Sequence, residues 1–402
     1  MKQAANILKA FLTATILVAL CLMAPCKAKA QDCPQDSIEI SLLTCGPGNE
    51  VYSLYGHTAL RWHDMRTGDD FAFNYGVFNF KKSFFVLRFL FGHTDYELGV
   101  LPYDIFCEEY HRMGRWVVEQ VIDLTPEEKT RLTNALWNNA KPENKTYRYN
   151  FFYDNCTTRA RDMIELCING KIEYAFDDGP SQPTYRQMIH EKTDGHPWAG
   201  FGDDLCIGVK ADFRIDGREQ QFLPENLMDA FSKAMIADAD GHRPLVKETR
   251  QVVSAAQPAA GPSFPLTPMQ SAYILLFISA TIVFAEAKRK KTYKAWDVAL
   301  LTCTSLAGII LVALLFSEHP TTSTNLQVLL LNPLPLFFIP SISRGEKAYW
   351  LISALLILMF FIGAMFQDYA EGMEIVALCL LTRCMANLAL ANRQHKNRTD
   401  KG

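Results

Sequence analysis

The fold of the N-terminal half is decided by the stretch YNFFYDNCTTRARD, residues 149–162. Asp154 or Asn155 can cap a helix here, and Cys156 then lies in its first turn. At that position the helix dipole and free backbone N–H groups stabilise a thiolate, and the same N–H groups can bind an oxyanion. The inner face of the predicted helix comprises Ala160, Met163, Ile164 and Cys167. The stretch therefore predicts a reactive thiol, although an isolated helical cysteine is more often a buried apolar residue.

A thiol nucleophile needs a base held close to it, and an upstream hairpin supplies a histidine. Residues 38–43 alternate like a strand, and so do residues 55–63, which place His57, Ala59, Arg61 and His63 on one face. Residues 66–70 form a turn, and residues 71–78 read as the returning strand. Folding this hairpin brings Asn74 opposite the stretch from His57 to Arg61. We therefore expect an α+β domain that carries a His strand and a Cys helix.

The N-terminus indicates export. Lys2 and Lys9 flank an apolar run over residues 10–24, and Ala28-Lys29-Ala30 matches a signal-peptidase site. We expect a signal peptide at residues 1–30, with an uncleaved anchor as the alternative. The net charge of -3 and the absence of a basic stripe exclude nucleic acid as a partner.

The cysteines fit an oxidising compartment rather than a metal site. No CxxC or Cys/His spacing indicates zinc, and we expect no metal or other cofactor. If Cys156 is a nucleophile it stays reduced, and Cys33 with Cys45 is the first disulfide that we consider. The connectivity stays open, because sequence alone does not fix it.

The C-terminal third has the pattern of a membrane domain. A Pro/Ala/Gly linker at residues 257–268 separates an exported domain at residues 31–256 from a helical domain at residues 269–392, and residues 393–402 form a tail. The five apolar segments lie near residues 269–286, 296–316, 326–341, 348–366 and 373–391. Most of them approach the length of a membrane span. The third segment is short and contains Asn332-Pro333-Leu334-Pro335, which predicts a kink or a re-entrant turn.

The loops between these segments predict their orientation. Basic residues follow the first, third and fifth segments: Lys288, Arg289, Lys290, Lys291, Arg344, Lys347, Arg393, Lys396 and Arg398. The opposite loops, residues 317–325 and 367–374, carry almost no Lys or Arg. By the positive-inside rule, the exported domain faces the periplasm and the C-terminus faces the cytoplasm.

Some residues near the membrane allow two interpretations. Asn332 either satisfies backbone groups freed by the prolines or has a function, and His319 and Asn325 are ordinary loop residues or part of a lipid-headgroup site. Residues 83–91 form either a core helix or a surface that dips into the bilayer.

Three motifs resemble one protein family. Tyr55-Gly56-His57-Thr58-Ala59-Leu60-Arg61, Asn74-Tyr75-Gly76-Val77-Phe78 and Tyr153-Asp154-Asn155-Cys156-Thr157-Thr158-Arg159 are similar to the Lnb N-terminal periplasmic domain. Gly202-Asp203-Asp204-Leu205 and Phe222-Leu223-Pro224 resemble its downstream elements, and the membrane segments also fit. More distantly, the order of His strand and Cys helix resembles the permuted papain-like enzymes of the NlpC/P60 and lecithin:retinol acyltransferase group. The resemblance implies a permuted papain-like α+β domain followed by an all-α transmembrane bundle of about five helices.

The resemblance also implies an activity, lipoprotein N-acylation at the inner membrane. An acyl chain would pass from a membrane phospholipid, through a thioester on Cys156, to the N-terminal amine of a diacylated lipoprotein. His57 would be the general base and acid, and Asn74 would orient it, with His63 as the second choice. Arg61 and Arg159 are candidates to bind a phosphate or an oxyanion, with ion pairing inside the domain equally open. Tyr55 is a further candidate for substrate binding.

Three other functions fit the same residues. A cell-wall amidase or endopeptidase of the NlpC/P60 kind would apply the same chemistry to peptide bonds. A phospholipase would form the same acyl-enzyme and release the acyl group to water. A membrane receptor or assembly factor could keep the shell without needing the thiol.

Overall fold

The computed structural model describes residues 37–78, 84, 87–88, 91–176, 179–239, 241–256 and 264–399, with side chains described as far as residue 393. The predicted signal peptide, Cys33 and most of the predicted linker lie outside these residues. So does most of the apolar segment at residues 83–91, and both interpretations of that segment remain predictions.

The exported part is built on a seven-stranded antiparallel sheet. Its strands are β1 (Ile38–Cys45), β2 (His57–Asp64), β3 (Asp69–Val77), β4 (Asp95–Pro102), β5 (Val117–Ile122), β6 (Thr146–Arg148) and β10 (Val246–Val253). Their order across the sheet is β10-β5-β1-β2-β3-β4-β6. The predicted hairpin is confirmed as β2 and β3, with Leu60 opposite Phe73 and Arg61 opposite Ala72. This register puts Asn74 close to the first residues of β2.

Helices cover both faces of this sheet. They are α1 (Tyr103–Arg112), α2 (Pro126–Asn139) and α3 (Cys156–Cys167). On one face Leu60 and Phe73 pack with Leu136 of α2 and Ile164 of α3. On the other face the short side chain of Ala59 lies in a cluster with Phe106 and Tyr110 of α1. Because β2 is buried on both faces, its apolar and polar residues alternate less regularly than in a strand with one exposed face.

The N-termini of α2 and α3 carry the caps that the sequence predicts. Thr125 and Glu128 form a capping box on α2, with Pro126 in the first turn. Asn155 and Thr158 form the equivalent pair on α3. Each cap contributes about 1 kcal/mol and fixes the residue at which its helix begins.

A smaller layer follows α3 and leads to the membrane half. It contains the three-stranded sheet of β7 (Lys171–Glu173), β8 (Met235–Asp238) and β9 (Gly241–Pro244), and the helices α4 (Tyr185–Thr193), α5 (Pro197–Cys206) and α6 (Pro224–Lys233). Of these elements α5 matters most for the site, because it contacts both halves of the chain.

The C-terminal helices are α7 (Pro268–Arg289), α8 (Lys294–Leu315), α9 (Leu334–Arg344), α10 (Ala348–Gly363) and α11 (Met373–Thr399). Within the described residues, four segments are long and apolar enough to cross a membrane, namely Pro268–Arg289, Lys294–Leu315, Leu326–Arg344 and Met373–Arg393. The fourth predicted segment differs, because α10 has 16 residues and is therefore about 24 Å long against a hydrocarbon core of about 30 Å.

The predicted break in the third span is present. A 3-10 turn over Leu326–Leu329 is separated from α9 by residues that include Asn332 and Pro333. The Asn332 side chain accepts a hydrogen bond from the Leu334 N–H and donates one to the Leu329 carbonyl. Asn332 therefore satisfies backbone groups at the break, which was one of its two interpretations.

A buried ionic cluster joins three of the membrane helices. Arg383 of α11 bonds Glu286 of α7 at 2.8 Å and Asp297 of α8 at 2.6 Å, and Asn387 donates to Asp297. All three charged side chains are almost completely buried. Charges are costly in a bilayer, and here each one is paired, so the cluster fixes the relative positions of the helices.

Three buried amide side chains connect the membrane half to α5. Asn325 donates to the Leu205 carbonyl at 2.8 Å, Gln327 to the Asp204 carbonyl at 2.8 Å, and Gln367 to the carbonyl of residue 207 at 3.2 Å. Helix carbonyls in a last turn lack partners within the helix, and these amides supply them. Asn325 thus has a structural role, and both basic-poor loops contact the exported half.

Candidate active site

Cys156 is the first residue of α3, as the cap predicts. The Asn155 side chain accepts hydrogen bonds from the N–H groups of Thr157 and Thr158, at 2.8 and 2.9 Å. These two donors are therefore engaged by the cap and are not open to an oxyanion. In the described part of the chain no hydrogen bond engages the N–H of Cys156 itself. The N–H of Cys156 is therefore the first-turn donor that remains for an oxyanion.

His57 begins β2 and lies beside Cys156. Both residues line the same cleft and interact electrostatically, and the Nε2 of His57 lies 2.5 Å from Oδ1 of Asn74. Because Asn74 takes Nε2, the Nδ1 atom is the one left for the thiol. The structure thus aligns Cys156, His57 and Asn74 in the order that the hairpin and the helix cap predict.

The electrostatic environment favours a thiolate at Cys156. Burial alone would raise the pKa of Cys156, but His57 and the hydrogen bonds from the Thr58 N–H and the Thr157 hydroxyl outweigh it, and the pKa falls from 9.0 to about 7. Burial likewise opposes protonation of His57, yet the Cys156 thiolate and Asn74 raise the pKa of His57. The two shifts have one cause, because each ion stabilises the other.

A glycine gives the two groups the space that they need. Gly76 has a φ of +89°, and a Cβ at this residue would lie 3.8 Å from Cβ of Cys156 and 3.9 Å from Cε1 of His57. The Tyr147 hydroxyl, 4.0 Å from the same point, is buried and has no hydrogen-bond partner among the described residues. Burial raises the pKa of Tyr147, so this hydroxyl stays protonated as an unused donor beside the thiol.

The pair opens into a cleft of about 380 Å³, a volume typical of small-molecule sites. One wall is aromatic: Tyr96 stacks on Tyr149 with ring centroids 4.2 Å apart, and Phe78 contacts both Tyr96 and Tyr52. Such a wall suits an apolar chain. The other side contains charged groups of α1 and the residues that follow it.

The two predicted arginines do not line the cleft. Arg61 bonds Asp70 at 2.6 Å and Glu119 at 2.8 Å, and it lies over the Tyr103 ring. Arg159 bonds Asp154 at 2.7 Å and covers the ring of Tyr147. Both side chains follow the alternative left open from the sequence, ion pairing inside the domain.

Of the two remaining predicted residues, His63 is too far away to contact His57, and Tyr55 lines the cleft. His63 is six residues along β2 from His57, or about 20 Å at strand spacing, so it cannot orient His57. Tyr55 does line the cleft, and its hydroxyl donates to Asp203 of α5 at 2.5 Å. Burial and the neighbouring Asp204 raise the pKa of Asp203 to about 6, against the effect of this bond. Tyr55 thus links the cleft to the helix that contacts the membrane half.

Arg115, which the sequence pattern does not predict as a site residue, lies in the cleft with Cys156 and His57. It is 8 % exposed, and no motif marks it. Cys45, proposed as a disulfide partner, is a free and fully buried thiol in the structure, and burial raises its pKa.

Comparison with known proteins agrees with this architecture in both halves. Residues 26–191 match the model of the Lnb N-terminal periplasmic domain, and residues 260–395 match that of the Lnb transmembrane domain. The chain belongs to the Lnb family. No curated protein and no solved structure gives a match. Lnb domains mark a membrane-embedded, lipoprotein-modifying protein of the inner membrane with a periplasmic domain.

Proposed function

We propose that this Lnb protein is a thiol-dependent lipoprotein N-acyltransferase with Cys156 as nucleophile and His57 as general base and acid. The observation that carries the proposal is the adjacent Cys156–His57 pair at a helix N-terminus, in a chain whose two family domains mark lipoprotein modification. Thiolate, imidazolium and an orienting amide are the groups that acyl transfer through a thioester requires.

The first half-reaction acylates the enzyme. The Cys156 thiolate attacks an ester carbonyl of a phospholipid, and the resulting oxyanion lies near the Cys156 N–H. Collapse of this intermediate breaks the ester bond, and the leaving alkoxide takes the proton of the His57 imidazolium. The products are the Cys156 thioester and a lysophospholipid.

The second half-reaction acylates the amine. The N-terminal amine of a diacylated lipoprotein attacks the thioester, neutral His57 accepts its proton, and the Cys156 thiolate leaves. An amide is formed and the thiolate–imidazolium pair is restored, so the cycle is ping-pong and requires no cofactor.

The architecture supports a substrate drawn from the bilayer. Large apolar side chains such as Phe277, Phe284 and Phe337 are exposed on the membrane helices, as expected of lipid-facing residues. The Asn325 and Gln327 amides, which donate to α5, hold the exported domain against the periplasmic ends of the helices in the predicted topology, in which the C-terminus is cytoplasmic. We also infer a permuted papain-like arrangement, because an antiparallel sheet places its His strand ahead of the packed Cys helix.

The test is the acylation state of lipoproteins in cells. A strain whose only copy carries Cys156→Ser should accumulate lipoproteins with two acyl chains, whereas the wild type has three, as measured by mass spectrometry of N-terminal peptides. Cys107→Ser is a matched control, because Cys107 lies on α1 outside the cleft, and it should leave triacylation intact. Unchanged triacylation in the Cys156→Ser strain would refute the proposal.

A further inference from the structure

Arg115 has an unusual environment for a buried arginine. Four arginines in the described part of the chain are more than nine-tenths buried: Arg115, Arg161, Arg186 and Arg383. Three of these form ion pairs, Arg161 with Asp162, Arg186 with Asp204 and Asp212, and Arg383 with Glu286 and Asp297. Arg115 alone among the four has no carboxylate of a described residue within 4 Å, although Glu109 also lines the cleft.

Only part of the hydrogen-bonding capacity of the Arg115 guanidinium is used by the described residues. Nε donates to the Gly46 carbonyl at 2.7 Å, and the guanidinium carbon lies 4.7 Å from the centre of the Tyr110 ring. The Nη2 atom is buried and has no hydrogen-bond partner within the described residues. A buried charge without a counterion is costly. An unpaired buried cation in a ligand cleft therefore indicates that a bound anion supplies the missing counterion.

The cleft and the proposed chemistry define the anion. We propose that Arg115 binds the phosphodiester of the glycerophospholipid acyl donor and so positions its ester bond at Cys156; this inference rests on the proposed function. The planar guanidinium fork matches two oxygens of a phosphate. The second substrate reacts through an amine, which a buried cation does not attract. The aromatic wall of Tyr52, Phe78, Tyr96 and Tyr149 then remains for the acyl chain.

The experiment compares two donors that differ only in the headgroup. Full-length protein in detergent micelles is supplied with phosphatidylethanolamine or with diacylglycerol of the same acyl chains, and the rate of Cys156 acylation is followed by mass spectrometry. In Arg115→Gln the rate with phosphatidylethanolamine divided by the rate with diacylglycerol should fall by about tenfold or more. This is the effect of losing one charge-assisted hydrogen bond of about 1.5 kcal/mol or more. Arg112→Gln removes the same charge from an exposed residue nearby, and its ratio should match the wild type.

The outcomes separate the possible roles of Arg115. If both rates fall together in Arg115→Gln, the residue supports the fold or the oxyanion and the assignment is wrong. It is also wrong if neither rate changes. If wild-type Cys156 accepts an acyl group from neither donor, the proposed function itself fails.

If Arg115→Gln does not fold, a competition measurement on the wild type tests the same assignment. Glycerophosphoethanolamine, which has the headgroup and no acyl chain, should compete with phosphatidylethanolamine, while inorganic phosphate at the same concentration should compete much less. Equal inhibition by inorganic phosphate would assign Arg115 to free phosphate, and no inhibition by either compound would overturn the phosphodiester site.

Discussion

Replacing His57 with Gln should raise the pKa of the Cys156 thiol. The wild-type pKa is about 7, and His57 is the main group that lowers it, so without His57 burial should return it to 9 or above. At pH 7 about half of the wild-type thiol is then ionised, against about one part in a hundred in His57→Gln.

The titration midpoint is a better observable than the rate at one pH. A thiolate of lower pKa is also a weaker nucleophile, with a Brønsted slope of about 0.4–0.5, so a fifty-fold difference in ionisation shrinks to roughly sixfold in rate at pH 7. The assay is the pH dependence of alkylation by iodoacetamide, with the modified peptide that contains Cys156 quantified by mass spectrometry. The other described cysteines of the exported half are an internal reference, since burial raises the pKa of Cys45, Cys107, Cys167 and Cys206.

We expect a wild-type midpoint near pH 7 and a shift of about two units or more in His57→Gln. Thiolate is present above the midpoint and is lost as the pH falls through it, so wild-type alkylation should slow below pH 7. A wild-type midpoint near 9, or equal midpoints in the two proteins, would refute the inference that the pair is a thiolate and an imidazolium.

Three further predictions concern the neighbours of the site and the membrane half. Asn74→Ala removes one hydrogen bond to His57 and should slow Cys156 acylation about two- to tenfold; a rate equal to the wild type would show that Asn74 does not orient His57. Gln327→Leu leaves the Ala370 N–H without its partner and removes one of the two hydrogen bonds to the Asp204 carbonyl, so it should cost about 1–3 kcal/mol, seen as a lower melting temperature in detergent, whereas exposed Ser323→Ala should not change it. Arg383→Met leaves two buried carboxylates unpaired and should cost about 3–5 kcal/mol in the same assay, and most of this should return when Glu286→Gln and Asp297→Asn are added; an unchanged melting temperature in Arg383→Met alone would contradict the ionic cluster.

Local features were predictable from the sequence, because short-range chemistry determines them. The Asn155 cap fixes where α3 begins, and so places Cys156 in its first turn. The turn after Asp64 fixes the hairpin register, and so brings Asn74 to His57. Both signals lie within a few residues of the groups that they position.

Features that depend on long-range packing were not predictable. Arg115 is 41 residues from Cys156 in the chain, and its lack of a counterion is visible only when its surroundings are known. Arg61 looked available for a ligand, yet Glu119, which bonds it, lies on β5. The partners of Arg383 lie on two other helices, so no pattern within α11 indicates them.

The central claim is that Cys156 carries the acyl group between two lipid substrates, and trapping that intermediate tests it most directly. Purified full-length protein is incubated with phosphatidylethanolamine and digested at low pH, and the peptide that contains Cys156 is weighed. We expect a gain of one acyl chain that hydroxylamine removes, and its transfer to the amine of an added diacylated lipopeptide. An unmodified Cys156 during turnover, or an acyl group released only to water while the lipopeptide stays unchanged, would contradict the account.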